Sequence, residues 1–181
     1  MKNLKDVKNV LYVAKIVENT IVDGEGFRTS LYLSGCDICC DGCHNKGIWD
    51  INSGHAMEIN RVFEKITAYF TNITFIGGEP MLQAPSLTIL ARKIKKYTTK
   101  NIWLYSGHTY EEIIVNKEYL RLLKYCDVLV DGKYESNFFQ NNLRFKGSSN
   151  QRIIDIKKTL YTGEIVLWQD EFKKKCFEDI C

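Results

Sequence analysis

A chain of 181 residues, 45% hydrophobic and 26% charged, has ordinary globular composition and enough length for one domain with its own core. Its formal net charge of +3 is too small to argue for a nucleic-acid or membrane partner on electrostatics alone. The opening MKNLKDVKNV has no signal-peptide core, and the apolar run LYVAKIV is broken by Lys15 and followed by Glu18, so it does not span a membrane. The expected location is cytoplasmic. Thiols stay reduced there, so clustered cysteines point to metal or redox chemistry before disulfides.

In chain order, LYVAKIV and RTSLYLS read as strands joined through VDGEGF, whose glycines permit a tight turn. A cysteine loop follows. Ile59, Val62, Phe63, Ile66 and Phe70 recur at helical spacing and predict a helix over 57–70. NITFIGG predicts a short apolar strand ending in glycines. Leu87, Leu90, Ile94 and Tyr97 share one face of a helix over 86–97. NIWLYSG is the next strand. Thr109 and Glu112 have capping-box spacing and start a helix that runs, with a break, to about Tyr125. DVLVDG reads as a buried strand, and QRIIDI and EIVLWQ as a final hairpin through YTGE.

Strands alternating with helices predict an α/β fold with a parallel sheet and right-handed crossovers. In such sheets ligands bind at the carboxyl ends of the strands. Four polar segments fall there: the cysteine loop after LYLSG, GGEP after ITFI, SGHT after IWLY, and DGKY after VLV. One shared cleft is the expectation. An open sheet and a partial (β/α) barrel both satisfy the pattern, in a single domain over 1–181 with its core at about 10–168 and a tail at 169–181.

The segment SGCDICCDGCHN places four cysteines in eight positions, and three uses compete for them. Disulfides are disfavoured by the compartment. A structural zinc site wants four ligands in a closed tetrahedron. However, Cys39 and Cys40 are neighbours whose side chains point apart in most conformations, and His44 adjoins Cys43 with the same difficulty. The distant second cysteine pair of a zinc ribbon is missing, since Cys126, Cys176 and Cys181 are isolated or terminal. An iron–sulfur cluster takes thiolate ligands, and Cys36, Cys40 and Cys43 are spaced C-x3-C-x2-C. Spacing alone leaves this an even choice.

The spacing, followed by GGEP at the end of the next strand, resembles the radical S-adenosylmethionine superfamily. VDGEGFRTSLYLSGC, C-x-G-C-H-N, GGEP, WLYSGHTYEE, DVLVDGKY and FKGSSNQRIIDI together resemble, more closely, the activating proteins of anaerobic ribonucleotide reductase. These blocks cover about residues 20 to 156. Gly42 departs from the broad superfamily, where many members place an aromatic residue before the last cysteine; the closer family tolerates glycine there. An activase for another glycyl-radical enzyme, such as pyruvate formate-lyase, is the alternative, disfavoured by the short chain and by GSSNQR.

The resemblance implies a partial barrel of the radical S-adenosylmethionine type. It implies a [4Fe-4S] cluster on Cys36, Cys40 and Cys43, with Cys39 a spectator and the fourth iron open to the amino and carboxylate groups of S-adenosylmethionine. Reductive cleavage of that cofactor gives a 5′-deoxyadenosyl radical, which takes hydrogen from one glycine of anaerobic ribonucleoside-triphosphate reductase. The backbone around Gly42, Cys43 and His44 is expected to contact the adenine. Gly77, Gly78 and Glu79 are expected to receive the ammonium, and Ser106, beside Gly107, the ribose or carboxylate; Asp131 is a further expected cofactor contact. No catalytic residue is expected beyond the cluster ligands. A low-potential flavodoxin or ferredoxin is implied as electron donor. Asn45 is expected to hold the cysteine loop by an Asx-type bond, and Asn150 and Arg152 to tie a loop down.

Overall fold

The computed structural model describes residues 9–169. Seven strands form one sheet: β1 (Val10–Thr20), β2 (Arg28–Leu33), β3 (His55–Glu58), β4 (Asn72–Gly77), β5 (Ile102–Tyr105), β6 (Val128–Asp131) and β7 (Arg152–Asp155). Their order across the sheet is β3-β1-β2-β4-β5-β6-β7. The expected parallel pairing holds only in the centre, for β2 with β4, β4 with β5, and β5 with β6. The outer pairs β1/β2, β1/β3 and β6/β7 are antiparallel, so the sheet is mixed.

Among the described residues five α-helices accompany the strands: α1 (Ile59–Thr67), α2 (Ala84–Tyr97), α3 (Tyr110–Val115), α4 (Lys117–Leu123) and α5 (Ile156–Thr162). Thr109 and Glu112 form the capping box at the start of α3. The break falls at Asn116, which is extended and caps α4 by accepting from the N–H of Glu118 at 3.0 Å. α2 begins two residues earlier than expected, with Pro85 in its first turn, where a missing N–H costs nothing.

Two expectations are corrected. The helix over 57–70 is shorter, because residues 55–58 pair with β1 as an edge strand before α1 begins. The final hairpin is instead a strand, a helix and a returning segment. Residues 156–162 form α5, and Gly163 ends it in the left-handed conformation, φ 78°. The chain then comes back to β7, where Leu167 bridges Ile154. Among the described residues, no helix is long and apolar enough to cross a membrane.

The strand period of two gives the sheet two unlike faces. Leu31, Leu33, Phe75, Leu104 and Leu129 pack with residues of all five helices in the main core, including Val62, Leu90 and Leu122. The other face carries Trp103, Val128 and Val130, joined by Tyr105, Phe145 and Trp168 in a smaller cluster. Arg28 is fully buried at the start of β2. Its guanidinium donates to Thr74 Oγ1 at 2.6 Å, the Ile73 carbonyl at 2.6 Å, Asn101 Oδ1 at 2.8 Å and the Glu25 carbonyl at 2.9 Å. Burial holds its pKa down to about 10, so it stays charged at neutral pH. A buried charge persists only when so fully bonded, and here it closes the amino end of the parallel strands. The carboxyl ends are left for other groups.

Candidate active site

The cysteine loop leaves β2 and is bonded at its base to the returning chain. Ser34 is buried and donates to the Ile51 carbonyl at 2.8 Å. The N–H groups of Gly35 and Cys36 donate to the carbonyls of Ile48 and Trp49, each at 2.9 Å. The loop is therefore closed at its base by the returning chain. Within it Cys39 takes the left-handed conformation, φ 50°, which is uncommon for a residue with a side chain. Its thiol is exposed and faces the Cys36 carbonyl. Cys36, Cys40 and Cys43 are half-buried and line a cavity of about 440 Å³; Cys39 is not among its lining residues.

GGEP follows β4, the parallel neighbour of β2, and the two strand ends are laced together. The Gly78 N–H donates to the Leu33 carbonyl at 2.8 Å, and the Glu79 N–H to the Gly35 carbonyl at 2.7 Å. A Cβ on Gly78 would stand 2.2 Å from the Gly35 oxygen, so only glycine allows this approach. Asn45 adds a cross-link. Its side-chain amide donates to the Gly77 carbonyl at 3.2 Å and its N–H to Cys43 Sγ at 3.3 Å. That is a tie between two loops, where an Asx-type turn within one loop was expected.

Glu79 is almost wholly buried, and both its oxygens are engaged. One accepts from the Met81 N–H at 2.9 Å and Ser106 Oγ at 3.0 Å; the other accepts from the Gly107 N–H at 2.7 Å. Burial pushes the carboxyl above its ordinary range, against the pull of the Met81 and Gly107 amides. Glu79 thus knots the end of β4 to the end of β5. Gly107 meets Ile38 of the cysteine loop, where a Cβ would lie 2.9 Å from its side chain.

Of the residues singled out in the sequence, Cys36, Cys40, Cys43 and His44 line the cavity from the cysteine loop. Gly77, Gly78, Glu79 and Ser106 line it from the strand ends. Gly42 and Asp131 do not. The Asp131 carboxylate accepts from the Tyr110 N–H at 2.7 Å and from the Arg152 guanidinium, which also grips Glu111. It fixes the start of α3 to β6 and β7. Arg152 in turn holds the Glu111 carboxyl down to about 2. Asn150 donates to the Lys133 carbonyl at 2.9 Å, so that segment does tie a loop down. Cys126 is a buried core residue; Cys176 and Cys181 lie outside the described residues.

The cavity also has walls that lie inside the quoted motifs but were not singled out from them: Asp23, Tyr32, Tyr105, Tyr134 and Phe145. Tyr32 and Tyr105 were findable, because they alternate with core leucines on their strands. Tyr134 and Phe145 come from the long β6–β7 connection, which carries no periodic signal.

The donor set can be tested against a cluster. Among the described residues, no three His, Cys, Asp or Glu side chains converge as one metal ion would require. The three thiols instead share a wall of one cavity, and a cubane lets each cysteine bind its own iron. Burial pushes the Cys36 and Cys40 thiols up; the backbone amides of Cys39 and Ile38 oppose it at Cys36, and that of Tyr134 at Cys40. Amides directed at the sulfurs suit a bound anionic cluster. The residues fit the group.

The Glu79 knot yields a prediction. Glu79→Ala leaves three donors without their acceptor, at about 1–3 kcal/mol for each buried one. Amide hydrogen exchange at Met81 and Gly107 should speed up by roughly ten-fold or more, with the amide of Leu129 in β6 unchanged. Unaltered exchange at Met81 and Gly107 would contradict the role given to this carboxylate.

Comparison with known proteins shows the family. Residues 22–154 match the family model of 4Fe-4S single cluster domains. The anaerobic ribonucleoside-triphosphate reductase-activating protein of Enterobacteria phage T4 is 34% identical over 139 residues, covering 73% of this chain and 86% of its own. The proteins of the same name from Vibrio cholerae and Escherichia coli K12 are each 34% identical, over 74% and 72% of this chain and 90% of their own. Among solved structures, QueE from Escherichia coli aligns with a TM-score of 0.43 and 14% identity, over 55% of this chain and 53% of that one. The chain belongs to the family of anaerobic ribonucleoside-triphosphate reductase-activating proteins and carries its 4Fe-4S single cluster domain.

Proposed function

We propose that this protein generates a glycyl radical on an anaerobic ribonucleoside-triphosphate reductase, using a [4Fe-4S] cluster and S-adenosylmethionine. One observation carries the reading: three of four clustered cysteines face a single cavity while the fourth, Cys39, is exposed outside it. Cys36, Cys40 and Cys43 would hold three irons, leaving the fourth for the methionyl group of the cofactor. When bound, the reduced cluster supplies the electron that breaks the cofactor's sulfonium bond to the ribose carbon.

The chain's own residues bind and orient. Gly77 and Gly78 bring bare backbone to the cavity beside the cysteines, where carbonyls suit an ammonium group. Glu79 and Ser106 act mainly through each other, holding GGEP and SGH in place. Asp131 acts at one remove, through Tyr110 and Arg152. The core over about residues 10–168 is one domain, a partial (β/α) barrel in which helices pack on one face of the sheet and the cavity opens on the other. The partners are the glycine-bearing reductase and a low-potential flavodoxin or ferredoxin, in the cytoplasm.

The ligand set and the reaction are each open to measurement. Cys39→Ala should keep about four irons per chain after anaerobic reconstitution, whereas Cys36→Ala, Cys40→Ala and Cys43→Ala should each lose the cluster. Loss of iron from Cys39→Ala with retention in Cys40→Ala would overturn the ligand set. Mixing the reduced holoprotein with S-adenosylmethionine and the reductase should give a glycyl-radical signal in electron paramagnetic resonance. A silent reductase beside an intact cluster would contradict the function.

A further inference from the structure

Among the described residues, four buried side-chain polar atoms lack a hydrogen-bond partner: Ser30 Oγ, Trp49 Nε1, His108 Nε2 and Asp127 Oδ1. Three of them have an answer within the fold. Asp127 Oδ1 faces the Lys157 ammonium at 2.7 Å, and a serine hydroxyl turns to suit its surroundings. His108 can keep its proton on Nδ1, which lies 3.8 Å from Glu112, and leave Nε2 bare. The indole N–H of Trp49 has no such freedom. It can only donate, and burying it unpaired is unfavourable. Of the four residues, only Trp49 lines the cavity that holds the cysteine thiols.

The backbone of Trp49 is paired with the first cysteine of the loop. Its carbonyl accepts from the Cys36 N–H at 2.9 Å, and its own N–H donates to the Lys46 carbonyl at 3.3 Å. Asp50 follows and caps the next turn, accepting from the Asn52 N–H at 2.8 Å. The indole therefore springs from a residue bonded to Cys36 and reaches the cavity that Cys36, Cys40 and Cys43 line. The amides of Ile38 and Cys39 approach the Cys36 sulfur from within the loop. Trp49 stands on the returning chain, across the base of the loop from them.

A donor with no acceptor, placed in a cavity walled by three thiols, calls for an acceptor that arrives with the ligand. Sulfide and thiolate sulfurs accept hydrogen bonds and offer no proton in return, which is what a donor-only indole requires. The reduced cluster carries more negative charge than the oxidised one. An N–H directed at its sulfur therefore stabilises the reduced form more and raises the potential. We propose that the Trp49 indole N–H donates a hydrogen bond to a cluster sulfur at the Cys36 corner and so eases the cluster's reduction. This rests on the reading that Cys36, Cys40 and Cys43 hold a [4Fe-4S] cluster. Trp49 supplies no ligand to iron; it sets how readily the centre accepts its electron.

The test uses anaerobically reconstituted holoprotein of known iron content, labelled with nitrogen-15 at the indoles of its three tryptophans. Pulsed electron paramagnetic resonance of the reduced cluster should show a nitrogen-15 coupling in the native protein and none in Trp49→Phe, which keeps a ring and loses the N–H. In a redox titration Trp49→Phe should have the lower potential, with a reduced-to-oxidised ratio roughly ten-fold smaller at a fixed potential, a shift of about 59 mV. Trp168→Phe alters the aromatic cluster around Trp103 and should match the native protein in both measurements. Native protein without the nitrogen-15 coupling overturns the proposal whatever the potential of the variant, because the ring then acts by packing alone. An unchanged potential in Trp49→Phe with its full iron also overturns it. If Trp49→Phe holds no iron, the coupling in the native protein decides. Native protein that assembles no four-iron cluster would instead overturn the ligand reading beneath the proposal.

Discussion

Two stretches of bare backbone meet between the ends of β2 and β4, and the site is built on that meeting. Gly78 lies against Gly35 so closely that a single methyl group would collide with a carbonyl oxygen. Two backbone hydrogen bonds run across the junction. Because β2 and β4 are parallel neighbours, both strands end on the same edge, and their following loops must share space. The cysteine loop therefore rests on GGEP by topology. The glycines let it rest close enough for Asn45 to bridge Cys43 and Gly77.

From this junction the rest of the cavity is assembled by relays of polar groups. Glu79 carries the fix from β4 to the end of β5. Asp131 carries it from β6 to α3 and, through Arg152, to β7. The segment at 148–151 carries it to the loop that bears Tyr134. The buried members, Glu79 and Asp131, have their carboxylate oxygens engaged, which is the condition for burying such groups without loss of stability. At the other end of the strands Arg28 does the same work as a plug. The sheet face between plug and cysteines is the one that none of the five described α-helices covers.

Much of this was legible in the sequence, for definite reasons. Strong strand and helix periodicity marked β2, β4, β5, β6 and α2, and Thr109 with Glu112 announced the start of α3. Four strand ends bearing polar segments predicted one cleft, because parallel strands must put those ends together. What failed lacked a local signal. The edge strand β3 has four residues and a mostly exposed pattern, so the periodicity of α1 overran it. Gly163 looks the same whether it turns a hairpin or ends a helix, and α5 was missed for that reason. The Asp-Gly pair at Asp131 gave no hint that its carboxylate faces Arg152, twenty-one positions away. Tyr134 ended the DGKY segment expected at the cleft, but nothing local singled out its ring before the β6–β7 connection was seen against the cysteine loop.

The central claim is that three thiolates hold a cubane whose fourth iron is left for the cofactor. Mössbauer spectroscopy of the holoprotein reconstituted with iron-57 tests it most directly. Addition of S-adenosylmethionine should change the signal of one iron in four and leave three as they were. Four irons that all stay unchanged at saturating cofactor, or a fourth iron already bound by a side chain, would contradict the account.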